Sequence, residues 1–69
     1  MNIGEKIELA NTSTSSEILD KLSNDEDDWV HMVVAGNENT SVETLDKLAN
    51  DENEVVRSLA MKHPNYRKK

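Results

Sequence analysis

A stretch of 26 residues occurs twice in tandem in this chain. Residues 14–39 laid over residues 40–65 are identical at 12 positions, with LDKLSNDE at 19–26 returning as LDKLANDE at 45–52. Other pairs keep apolar character: Trp29 and Val55, Val33 and Leu59, Val34 and Ala60. Such a unit cannot bury its apolar face alone, so neighbouring copies must stack to make one core. The register also runs backwards. Asn11 matches Asn37, and Ile3 and Ile7 fall where Trp29 and Val33 fall one unit later. The chain therefore divides into an N-terminal half repeat (1–13), repeat 1 (14–39), repeat 2 (40–65) and a basic tail (66–69).

Each unit carries two helical signals, which predicts an all-α fold. The first helix opens at Thr14 or Thr40, read as N-caps, with Glu17 or Glu43 three residues on to complete a capping box. Leu19 and Leu22, or Val42, Leu45 and Leu48, then recur at helical spacing on one apolar stripe. Asn24 and Asn50 are expected to close these helices in a left-handed conformation. The second helix opens at Asp25 or Asp51, read as caps, with Asp28 or Glu54 three residues later. Acids in a first turn favour the positive end of the helix. Trp29, Val30, Val33 and Val34 follow on one face, as do Val55, Val56, Leu59 and Ala60, and these faces are expected to form the core. Gly36 stands where the first copy should stop. His63-Pro64 ends the second.

These residues resemble the leucine-rich repeat variant family, a HEAT-like helical repeat. Thr40, Glu43, Leu45, Leu48, Ala49, Asp51, Val56, Arg57, Pro64 and Asn65 carry the likeness. Repeat 1 follows it less closely: His31 replaces the arginine, and Gly36-Asn37-Glu38-Asn39 lacks the proline. The resemblance implies a short right-handed α-solenoid, here of about two and a half helical-pair repeats. One helix of each pair is short, α or 3₁₀, and this spacing leaves room for it to be α. The family's founding member is associated with an iron–sulfur cluster held by cysteines outside its repeats. This chain has no cysteine, so that property does not transfer.

The net charge of −6 argues against nucleic acid as a direct ligand, because phosphate binding needs a basic footprint. The charge is uneven: residues 1–39 hold nine acids and two bases, residues 40–69 five acids and six bases. No signal peptide or apolar run of membrane-spanning length is visible, so a soluble cytoplasmic protein is expected.

No catalytic signature stands out, and no enzyme activity is expected. There is no nucleophile elbow and no phosphate-cradling loop, since the only glycines are Gly4 and Gly36. A calcium loop starting at Asp25 fails, with Trp29 and Val30 where an acid and a glycine are required. His31 reads as a surface histidine, and no second ligand is spaced to join it or His63, so no metal or cofactor is expected. Trp29 reads mainly as core. Met32, aligned with Ser58, reads as solvent-facing, and Tyr66 stands where the array stops.

The resulting expectation is a non-enzymatic protein–protein interaction module. It would use a helix-lined surface holding Trp29, His31, Met32, Arg57 and Tyr66, or an open end of the array. Head-to-tail self-association is a second expectation. An acidic inhibitor or nucleic-acid mimic, which blocks a basic site on a target protein, is the alternative.

Overall fold

The computed structural model describes residues 1–67; Lys68 and Lys69 of the basic tail lie outside the described residues. It holds five α-helices: α1 (Ile3–Thr12), α2 (Ser16–Leu22), α3 (Asp28–Gly36), α4 (Val42–Leu48) and α5 (Glu54–Lys62). No strand occurs among the described residues. Helices α1, α3 and α5 form a row with α3 in the middle. Helix α2 packs on α1 and α3, and α4 on α3 and α5. Extents of 35 × 23 × 14 Å leave space for one thin core.

The two short helices are α, each of 7 residues. They are capped by Ser15 and Ser41, not by Thr14 and Thr40. Ser15 Oγ accepts from the Ile18 amide at 3.3 Å and Ser41 Oγ from the Thr44 amide at 3.2 Å. Glu17 and Glu43 thereby fall in the second helical position, one short of closing a box. The reason is visible at Thr40: its side chain is buried and donates to the Val34 carbonyl at 2.6 Å. Thr14, its sequence counterpart, is exposed.

The longer helices are likewise capped two residues later than the sequence suggests, at Asp27 and Asn53. Asp27 accepts from the Trp29 amide at 2.8 Å, and Asn53 from the Val55 amide at 2.8 Å and the Val56 amide at 3.3 Å. Asp25 and Asp51 instead accept from the amides of Asp27 (3.0 Å) and Asn53 (2.9 Å). These are Asx turns, in which a short carboxylate holds its own backbone two residues on. The dense acid of LDKLSNDEDD thus serves a turn first and a helix end second.

No left-handed residue occurs among the described residues, which corrects the reading of Asn24 and Asn50. Their amides reach back to the Asp20 and Asp46 carbonyls, at 3.3 and 2.9 Å. That satisfies a free C-terminal carbonyl without a left-handed turn. Gly36 is the last residue of α3, and the cap is Asn37. His63 caps α5 as the His-Pro pair suggests.

Three caps fix the register of the row. Ser13, Asn37 and His63 all end their helices in extended conformation. Each side chain accepts from the amide two residues on: Ser15 (3.1 Å), Asn39 (2.7 Å) and Asn65 (3.0 Å). Asn37 Nδ2 donates to the Ser13 carbonyl at 3.0 Å across 24 residues, and His63 Nε2 donates to the Asn37 carbonyl at 2.6 Å across 26. The counterpart of Asn37 in α1 is therefore Ser13, not Asn11. The connection from Ser13 to its following cap Ser15 is shorter than that from Asn37 to Ser41, which moves α1 by two residues. Ile3 and Ile7 consequently lose their pairing with Trp29 and Val33.

The core joins both layers. Leu19, Leu45 and Leu48 from the short helices meet Ala10, Val30, Val34, Val56 and Ala60 from the long ones, all essentially without solvent contact. Part of each predicted apolar face lies outside it, although Val33 still packs against it. Trp29 is 58% exposed, Val55 48% and Leu59 37%, and Val33 is partly buried. The expected core position of Trp29 is thus overturned. Each long helix already packs on neighbours in the row and on the short layer through Val30 and Val34, or Val56 and Ala60. The flank bearing Trp29 and Val55 turns away from both.

Candidate functional site

The outer flank of α3 and α5 carries the most distinctive surface. Trp29 and Val55 occupy the same place in the two copies, in the first turn of their helices, and both are exposed. Val33 and Leu59 lie one turn further along the same flank. Exposed Asp28 and Glu54 precede the two rows. An apolar strip with an acidic edge results, and its most prominent member is the chain's one tryptophan.

The other residues singled out in the sequence have different surroundings. Met32 and Tyr66 are half-buried against the core, so Met32 is not the solvent-facing residue expected. Arg57 turns back along its own unit, where Nη1 donates to the Asp51 carbonyl at 2.7 Å and the Glu52 carbonyl at 3.0 Å. His31, its counterpart, bonds through Nε2 to the Asp25 carbonyl, again six residues upstream. The two different side chains thus share one task, tying the loop to the helix that follows it.

His31 does more, which corrects its reading as a surface residue. Its side chain is only 13% exposed. Nδ1 lies 2.9 Å from Asp51 Oδ2 and 3.9 Å from Asp28 Oδ1. Asp28 is on the same helix, three residues earlier, but Asp51 comes from the next unit. No linear spacing announces that approach. The signal in the sequence is indirect: His31 stands in the arginine position of the repeat, facing the acid of its neighbour.

Two ion pairs join other units. Lys6 Nζ meets Asp25 Oδ2 at 2.8 Å. The Lys6 ammonium and then the Asp27 amide hold Asp25 below its ordinary value, and Asp25 in turn raises Lys6. Asp20 accepts from Lys47 Nζ at 3.1 Å and from Thr44 Oγ1 at 2.9 Å, and these bonds lower its pKa.

No helix among the described residues is long and apolar enough to cross a membrane. Comparison with protein-family models, with curated proteins and with solved structures finds no match to this chain.

Proposed function

We propose that this protein is a non-enzymatic interaction module, a short right-handed helical solenoid of the leucine-rich repeat variant or HEAT-like kind. It binds a protein partner through the outer flank of α3 and α5. The observation that carries the reading is Trp29, 58% exposed and backed by Val55 at the equivalent place one unit on. Tryptophan combines a large apolar body with a polar tip and dominates many protein interfaces. Leaving one in water on a 69-residue chain is costly unless a partner covers it. Asp28, Glu54 and the net charge of −6 suit a partner whose apolar pocket has a basic rim. The cap ladder from Ser13 through Asn37 to His63 supports the solenoid reading, because one bonding pattern repeats from helix to helix.

The acidic-inhibitor reading draws less support. Asp20, Asp25, Asp27 and Asp51 all accept hydrogen bonds within the chain, so much of the acid serves the fold.

The test is affinity capture from the source cells with the wild-type chain, Trp29→Ser and Val55→Ser. A partner held by the wild type is expected to be lost with Trp29→Ser. Stability in urea should change by less than about 0.5 kcal/mol, as for surface substitutions generally. A wild-type monomer that captures nothing, or capture indifferent to Trp29→Ser, rejects the reading.

A further inference from the structure

The two junctions between long helices treat equivalent aspartates differently. Asp25 and Asp51 occupy the same place in successive units, and each commits Oδ1 to the amide two residues on. Their side chains are similarly sheltered, 15% and 13% exposed. At the first junction the free oxygen of Asp25 meets a cation, the Lys6 ammonium. At the second, the free oxygen of Asp51 meets His31 Nδ1, with a further carboxylate oxygen from Asp28 beside it.

The hydrogen bonds around this second junction decide what each atom offers. A backbone carbonyl only accepts, so the bond from His31 to Asp25 places a proton on Nε2. In neutral imidazole, Nδ1 is then a lone pair. Without a proton, that buried atom has no hydrogen-bond partner and faces Asp51 Oδ2 at 2.9 Å, a contact that is an ion pair only when Nδ1 is protonated. Asp51 Oδ1 is held by the Asn53 amide at 2.9 Å, and Asp28 Oδ2 by the Asn53 side-chain amide at 3.3 Å. Three donor atoms therefore remain uncommitted, His31 Nδ1, Asp51 Oδ2 and Asp28 Oδ1, and all lie within 4.8 Å of one another. With His31 neutral, these three lone-pair donors have no positive charge among them and repel one another.

We propose that Asp28, His31 and Asp51 bind a divalent transition-metal ion of the zinc type, which supplies at the second junction the positive charge that Lys6 supplies at the first. Zinc holds imidazole nitrogen and carboxylate oxygen at about 2.0–2.2 Å, which sets tetrahedral ligand atoms about 3.3–3.5 Å apart. The separations of 2.9 and 3.9 Å bracket that spacing. The imidazole nitrogen favours zinc over magnesium and calcium, which take oxygen ligands. The supporting bonds are those a metal site needs: the histidine's other nitrogen donates to a carbonyl, and each carboxylate's other oxygen is fixed. Three protein ligands leave a fourth position for water or for a group on another molecule. Because Asp28 and His31 belong to one unit and Asp51 to the next, the ion staples the repeats together.

The experiment is zinc titration of the chelator-stripped full chain by calorimetry, with His31 and His63 imidazole protons followed by NMR. One zinc ion per chain is expected. The His31 signals should move while those of His63, both of whose nitrogens are hydrogen-bonded, stay in place. Saturation should raise Tm by several degrees or more, since the ion binds only the folded chain. Asp28→Asn changes an exposed side chain and should leave the fold intact while weakening zinc at least about tenfold; Asp51→Asn should weaken it further. Magnesium should not compete. No binding up to about millimolar zinc, movement of His63 alone, or affinity unchanged in folded Asp28→Asn overturns the proposal, leaving a proton on Nδ1 as the charge that faces Asp51.

Discussion

Thr14 and Thr40 stand at the same place in the repeat, yet one faces water and the other is buried. The difference follows from what precedes each. Thr40 trails α3 by a turn long enough to fold its hydroxyl back onto the Val34 carbonyl, whereas the shorter connection after α1 leaves Thr14 outside. Thr40→Val is expected to cost about 1 kcal/mol, the net worth of one buried hydrogen bond. Thr14→Val should stay within about 0.5 kcal/mol. Urea denaturation of the two variants checks this; equal losses would show that the bond contributes nothing. The same lesson holds for His31 and Arg57. Their alignment was legible in the sequence, and so was their position on a helix, but their bonds to the loop carbonyls were not. Those bonds depend on a chain path that brings a carbonyl six residues back within reach.

Helices were the most legible elements. Leucine and valine spacing marked four of them, and Ile3 and Ile7, read as part of a half repeat, marked α1. The ends were misplaced by one or two residues, because several neighbouring Ser, Thr, Asp and Asn side chains compete to cap each one. Propensity ranks them nearly equal; the turn preceding each helix selects among them. Asp25 and Asp51 lose to Asp27 and Asn53 because an Asx turn engages them first. Gly36 shows the same selection from the other side. It is the last residue of α3, has no positive φ, and an added methyl would meet nothing within 4 Å. Gly36→Ala should therefore stabilise the chain by about 0.4–1 kcal/mol through the unfolded state, seen as a higher denaturation midpoint. A loss of stability would place a constraint at that helix end that its geometry does not reveal.

Across the whole molecule, side chains from one unit tie down the loops of the next. Lys6 and Asp25 do so at the N-terminal junction, and the sign of their pH effect is fixed by their shifts. Asp25 is lowered from 3.8, so its contribution is present above that value and is lost as pH falls through the lower folded one. Lys6 is raised from 10.5, so its contribution is present below that value and is lost as pH rises through the higher folded one. Lys6→Met should lower the urea midpoint at neutral pH, and the gap from the wild type should shrink by about pH 2.5. A gap independent of pH would remove the ion pair from the account.

Helicity, duplication and the inward turn of Leu19, Leu45, Leu48, Val30, Val34 and Val56 were already written along the chain, because periodicity is a local property; it did not separate these from Val55 and Leu59, which stay exposed. It took the packing of the helices to leave Trp29 in water, to set Ser13 rather than Asn11 against Asn37, and to bring Asp51 to His31. Each of these depends on how one helix lies against the next, and a shift of two residues in a single connection changes which side chains meet.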